Sequence, residues 1–435
     1  MMDFNLRDRT FPCAGADPAD RIHCQLWGNS GGGGNNQAAA ANNPWATNLS
    51  IRNLWVRGGG DLRPDIPPAL DMWQALNPNL PSGIAPGSVI TQQLRNVGLV
   101  KRLLVRITAT VTAAPNVGDD LTLTKLGLAN LVSNVTFTDL ANNTRINTTG
   151  WHLTAVASAK RRTVFGAAYA SDTPFGYGNN FTTVNQAPPT INHNTSANIQ
   201  FMLEIPFAYS DHDLSGAIFA DVTQATMQVA LTLNPNMFVA SGADATLAVY
   251  QSGSANLPTL SNVAVQIYQN YLTQGPRQQN GLPILPQLDL ATAYVLNNTS
   301  SALPVANQDN VTPFINSRKF LSLCAIYDNA GTLNTGSDIN SLAIVSATFT
   351  NITKLDPFTQ AFMGRNVIGD DFPPGMYYFD FRARPIDTNQ YGNMAFVFNP
   401  SSVGGASATV LFGYEALGFI GQINSGGSLP SGGGQ

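Results

Sequence analysis

The chain has 435 residues, 43% of them hydrophobic and only 11% charged, with a formal net charge of -4. Soluble domains ordinarily carry about 25% Asp, Glu, Lys and Arg, so this surface is expected to be polar without being ionic. The balance offers no basic face for nucleic acid, three cysteines are too few for a disulfide framework, and no apolar run reaches the roughly 18–20 residues of a membrane-spanning helix.

In chain order, Met1 to Arg7 lacks the basic-then-apolar pattern of a secretory signal. Residues 1–93 read as an extended arm. They hold Gly tracts at Gly31 to Gly34 and Gly58 to Gly60, the pair Pro67-Pro68, and the tryptophans Trp27, Trp45, Trp55 and Trp73. Gly- and Pro-rich stretches resist a packed core, yet tryptophan is a large apolar payload that seeks a surface. The arm is therefore expected to dock on the chain's own body, on a neighbour or on lipid. Aromatic and basic residues favour lipid headgroups and protein contacts alike, which marks Trp45, Arg52, Trp55, Arg57, Arg63 and Trp73. Leu70, Trp73 and Leu76 have helical spacing, so a short amphipathic helix is expected over Ala69 to Leu76. Cys13 and Cys24, with His23 beside the second, lack the C-x-x-C spacing of a zinc site.

From about Leu94 the apolar period becomes two. Leu103, Val105, Ile107, Ala109 and Val111 alternate with polar or outward positions, as do Ile199 to Phe207 and Met227 to Leu233. Such alternation marks strands with one face in a core. Further strand-like runs fall at Leu131–Thr138, Trp151–Ala157, Val263–Tyr271, Leu321–Tyr327, Leu342–Phe349, Met376–Phe381, Met394–Phe398 and Val410–Tyr414. Cys324 lies inside one of them as a small buried hydrophobe. Short helices are expected at Asp213–Ala220 and at Asp356–Met363, the latter with Pro357 at its first position. The Leu257-Pro258 loop divides the remainder into halves of similar size, 94–257 and 258–420, before a flexible Gly/Ser tail, 421–435. Each half is long enough to hold one eight-stranded jelly roll. The expected fold is all-β, a double jelly roll with an extended N-terminal arm and few short helices.

Chemistry-bearing clusters are sparse. The Gly31 to Gly34 tract is not followed by Lys-Ser or Lys-Thr, and no G-x-S-x-G elbow is present. Asp211-His212-Asp213 is the densest ligand-like group, but an Asp there caps a short helix more simply than it holds a metal. Asp370-Asp371 would serve glycoside chemistry only if the carboxyls faced one another across roughly 5–9.5 Å; beside Phe372-Pro373-Pro374 they read as a turn. Lys160-Arg161-Arg162 reads as a solvated strand end or loop. No catalytic residue, metal or cofactor is expected.

The stretches Asn96–Lys101, Gly150–Leu153, Pro206–Ser210 and Asp213–Ala217 resemble the major capsid proteins of tectiviruses, the membrane-containing bacteriophages. The likeness continues through Gln279–Gly281, Leu288–Leu290, Tyr327–Gly331, Gly336–Asn340, Lys354–Pro357, Asp371–Pro373, Gly375–Tyr378, Gln390–Asn393 and Gly413–Glu415. These motifs stand in the family's order over about Asn96 to Glu415; before about Val89 the chain departs from the pattern, and the long Gly/Trp-rich arm is not matched to the family's N-terminal segment. The resemblance implies a double jelly roll, a homotrimeric pseudo-hexagonal capsomer, and an icosahedral shell over an internal membrane. It further implies neighbouring capsomers and vertex and minor capsid proteins as partners, synthesis in the bacterial host cytoplasm and residence in the virion, with no direct nucleic-acid binding. Loops at Phe175–Asn194 and Asn297–Asn316 would form the outer tower. The rival readings are a carbohydrate-acting β-sandwich enzyme using Asp370 and Asp371, and a surface adhesin or spike.

Overall fold

In the computed structural model, the structure describes residues 70–78, 80, 83–163, 165, 185–210, 213–220, 226–273, 292–302, 304–315, 318–329, 331, 333, 336–347, 351–405 and 408–419. The first part of the chain runs β1 (Leu70–Leu76), β2 (Val89–Gln93), β3 (Leu99–Thr112), β4 (Leu121–Leu123), β5 (Val132–Thr138), β6 (Thr144–Thr148), helix α1 (Gly150–Arg161), β7 (Thr190–Ile191), β8 (Ser196–Pro206), β9 (Ile218–Phe219), β10 (Gln228–Leu233), β11 (Phe238–Val239), β12 (Tyr250–Ser252) and β13 (Thr259–Thr273). The second continues with β14 (Thr292–Ala302), β15 (Asn310–Pro313), β16 (Arg318–Asp328), β17 (Ile339–Ser346), β18 (Thr353–Leu355), α2 (Pro357–Ile368), β19 (Met376–Asp380), β20 (Ile386–Asp387), α3 (Thr388–Tyr391), β21 (Met394–Pro400) and β22 (Thr409–Phe419).

Two sandwiches result. In the first, the sheet β1-β13-β3-β8 faces β6-β5-β10-β2, and their inward residues form one core. β3 shows why: Leu103, Val105, Ile107, Ala109 and Val111 are buried while Arg102, Leu104, Arg106, Thr108 and Thr110 are half-exposed. In the second, β19-β16-β22-β14 faces β15-β21-β17-β18 around Phe320, Leu342, Phe396 and Phe412. Burying each such side chain is worth roughly 1.5–3 kcal/mol.

One sheet serves both halves. β14 pairs β6 in parallel, with Leu296 opposite Ile146 and Asn297 opposite Asn147, so the two inner sheets become one sheet of nine strands. Tyr294 and Leu296, from the second half, lie in the core of the first. A third apolar cluster fills the space behind β16: Trp151, Ala155 and Ala159 of α1 pack with Cys324, Ile326, Ile368 and Tyr378. That layer explains why β16 is buried on both faces and reads as a continuous apolar run.

Several expectations need correction. The helix expected over Ala69–Leu76 does not form: Leu70–Leu76 is a strand paired residue for residue with β13, whose edge supplies the backbone partners that a short isolated helix would lack. Trp151–Ala157 is not a strand but the middle of α1. Thr149 caps that helix by accepting from the His152 amide, and nearly all of its sides are buried, which erases the helical period. Asp213–Ala220 is a turn entering β9. Gly216 sits there at φ +88°, and a Cβ on it would meet Tyr294 Cβ at 2.4 Å. The divider at Leu257-Pro258 is misplaced, because β13 follows it and pairs with β3 and β1 in the first sandwich. β1 and β2 likewise belong to sheets, not to an arm reaching residue 93. Asn297–Asn316 contains the end of β14 and all of β15. The helix expected at Asp356–Met363 is α2, with Asp356 as its cap.

Candidate functional site

The densest chemistry lies where the two sandwiches join. Glu415, on β22, is fully buried and accepts from every side. Lys160 Nζ, at the end of α1, stands 3.0 Å from its Oε1, and Tyr294 OH donates to the same oxygen at 2.6 Å. Ser322 Oγ donates to Oε2 at 2.8 Å. Lys160 also donates to the Tyr209 carbonyl at 2.7 Å and lies 4.2 Å above the Tyr294 ring. Burial pulls the Lys160 ammonium below its usual range, and Glu415 pushes back. Burial alone would raise Glu415, but Lys160 and the Tyr294 hydrogen bond outweigh it and hold the carboxyl below the ordinary value.

His152 sits one layer away, fully buried. Its Nδ1 shares a hydrogen bond with Thr148 Oγ1 at 2.6 Å, and its Nε2 has no partner among the described residues. Burial lowers its pKa from 6.5 to about 4, so the ring is neutral. The ring occupies the space in front of Gly413, where a Cβ would come within 2.3 Å of it. A second buried pair, Asp139 and Arg145 at 2.6 Å, ties the β5–β6 turn to the Gly216 carbonyl.

This arrangement holds elements together. A general acid or base must reach a reacting proton, whereas Glu415 is sealed and saturated. Beside Lys160 a cavity of about 210 Å³ is lined by Arg102, Arg161, Glu204 and Tyr209, among others. Its charges answer one another: Glu204 accepts from Arg102 at 3.1 Å and from Arg161. Lys160-Arg161-Arg162 is thus not a uniformly solvated loop, since its first member is the cation of the seam.

Of the arm residues singled out in the sequence, Trp45, Arg52, Trp55, Arg57 and Arg63 lie outside the described residues, as do Cys13, Cys24, Asp211 and His212. Trp73 is 47% exposed on the outer face of β1, with the Arg102 guanidinium 5.6 Å from its ring. Asp213 accepts from Ser215 in a turn. Asp370 accepts from the Asp371 amide at 2.7 Å, and the exposed Asp371 stands 3.8 Å from Arg365. The two acids share a turn and present no facing pair across a cleft. Burial pushes the Cys324 thiol far up, which leaves it inert. No group of three or more metal-ligating side chains occurs among the described residues.

The outer surface matches the composition. Thr110 Oγ1 donates to Asn198 Oδ1 at 2.9 Å, Thr112 and Ser196 hydroxyls meet at 2.8 Å, and Asn340 donates to Asn307 and Asn399. Amides and hydroxyls satisfy one another across strands without ions. On α2, by contrast, Phe358, Phe362 and Met363 face outward.

Two jelly rolls fused through one shared sheet define the double jelly-roll architecture. The comparisons agree. The P3 major capsid protein N-terminal model matches residues 78–275, and the P3 major capsid protein C-terminal model matches residues 291–429. Major capsid protein P3 of Enterobacteria phage PRD1 is 40% identical over 322 residues, covering 74% of this chain and 80% of that protein. Among solved structures, the STIV major capsid protein superposes with a TM-score of 0.56 at 10% identity, covering 82% of this chain and 99% of its own. The atomic structure of Sulfolobus Turreted Icosahedral Virus gives 0.54 at 11% identity, covering 83% and 93%. The chain belongs to the P3 major capsid protein family of tectivirus-like coat proteins. It is a structural protein of the capsid shell and not an enzyme.

Proposed function

We propose that the chain assembles as a homotrimeric, pseudo-hexagonal capsomer of an icosahedral phage shell that encloses an internal membrane. The observation that carries this reading is the nine-stranded sheet shared by the two jelly rolls. It fixes two similar sandwiches in one orientation, so three copies would present six sandwiches and a threefold object could pack in hexagonal surroundings. Neighbouring capsomers, vertex and minor capsid proteins and the membrane are the partners of such a unit. Synthesis in the bacterial host cytoplasm precedes assembly.

The residues before β1 are assigned to contacts along the inner face of the shell, with Trp45, Arg52, Trp55, Arg57 and Arg63 meeting lipid headgroups or adjacent capsomers. Trp73, in the middle of β1, is assigned to the same surface. The first test is the solution mass by light scattering, expected near three times 46.2 kDa; a chain that stays monomeric at high concentration contradicts the capsomer. Deleting residues 1–60 is expected to leave the trimer intact and impair shell assembly. Loss of the trimer on that deletion would sink the assigned role of the arm.

A further inference from the structure

Phe358, Phe362 and Met363 are 72%, 61% and 50% exposed, and all three lie on α2. Spacings of four and five residues put them on one broad face. The helix buries only Pro357, Gln360, Gly364 and Ile368 against the second jelly roll. Its seat is firm. Asp356 accepts from the Phe358 and Thr359 amides at 3.0 Å, and Gly369 closes the helix in the left-handed conformation. Gly364 lets the helix approach Phe372, whose ring stacks on Tyr378 with centroids 5.2 Å apart. The apolar face is therefore presented rigidly, which lowers the ordering cost of a contact.

We propose that this face of α2 is the surface through which each copy docks on the next copy within the capsomer; the proposal rests on the homotrimer reading above. Charge favours a second copy over lipid. A helix that lies on an anionic membrane carries Lys and Arg around its apolar face, but α2 has the single cation Arg365, with Asp356, Asp370 and Asp371 at its ends. Stable specific interfaces bury about 800 Å² per partner around a dry aromatic centre, and the most permanent ones are the most apolar. Two Phe and one Met supply such a centre, set in a rim of Thr359, Asn366 and Arg365. Around a threefold axis the contact is heterologous, so α2 meets a different surface of its neighbour.

The test compares the full-length chain with its Phe358→Ser/Phe362→Ser variant by light scattering and circular dichroism. If the unaltered chain is not a trimer, the capsomer reading itself fails, which is a separate outcome. Given a trimer, the variant is expected to keep its β signal and fall to one-third of the mass. A variant that remains trimeric overturns the proposal, including one that is trimeric yet fails to build shells, since that places the contact between capsomers. Should the variant misfold, Phe362→Cys decides the matter, in a chain carrying Cys13→Ser and Cys24→Ser. Its thiol is expected to react with a bulky maleimide about tenfold more slowly in the trimer than after dissociation, because a covered site must open first; equal rates overturn the proposal.

Discussion

The seam between the jelly rolls and the outer face of α2 invert the usual distribution of polarity. At the seam Glu415, Tyr294 and Ser322 are enclosed with the Lys160 ammonium against them; on α2, two phenylalanines and a methionine face out. A buried carboxylate is a poor source of net stability, because desolvation consumes much of the attraction. What it supplies is geometry. Glu415 accepts from α1, β14 and β16 at once, so these elements meet in a single arrangement. The exposed phenylalanines of α2 are, under the proposal above, the complementary device: a surface that a second copy covers. A coat protein needs both: a body that does not flex between its halves, and a surface that seeks another body.

The contrast breaks most sharply at Glu415. Glu415→Ala leaves Lys160 buried without its anion, and removing one partner of such a pair costs roughly 3–5 kcal/mol. Urea unfolding measures this, and adding Lys160→Met is expected to restore much of the loss. Full retention of stability in the single variant would mean that the pair is not enclosed.

The next effect is in pH. His152 is neutral in the fold with a pKa near 4, against 6.5 when free. Its folded value is depressed, so the unfolded chain takes up the proton first. Stability is whole above about pH 6.5 and declines as pH falls towards 4. The shift corresponds to about 3 kcal/mol across that window. The slope of unfolding free energy against pH, measured with and without His152→Gln, isolates this contribution; identical slopes contradict it.

A smaller effect sharpens the other side. Asp356→Ala removes the cap of α2 and is expected to cost about 1 kcal/mol, while loosening the helix that carries Phe358. Calorimetry of the variant reads the stability, and its trimer dissociation reads the presentation of the face.

The same contrast marks how far the sequence was legible. β3, β8 and β10 declare themselves because one face meets a core and the other meets water, so period two survives in the residues. The signal fails where both sides are covered. α1 is buried nearly all round, so Trp151 to Ala157 carries no helical stripe and reads as another strand. Leu70, Trp73 and Leu76 suit a helix, yet the free edge of β13 decides for a strand through backbone bonds that side chains do not encode. Asp356 and Pro357 announce α2 because capping is local. Lys160 and Glu415 are far apart in sequence, and only the fold makes them neighbours; Lys160 reads as one of three cations, and Glu415 stands out only within a family-like motif. The exposure of Phe358 and Phe362 is likewise illegible, since an apolar residue on a short helix is expected to point inward.

The most direct measurement is a cryo-electron microscopy map of the assembled shell at side-chain resolution. The account predicts Glu415 enclosed with Lys160 inside every chain, and Phe358 and Phe362 of every copy covered by its neighbour in the same capsomer. Phenylalanines facing solvent or lipid in the finished shell, or a seam opened between the two jelly rolls, would contradict it.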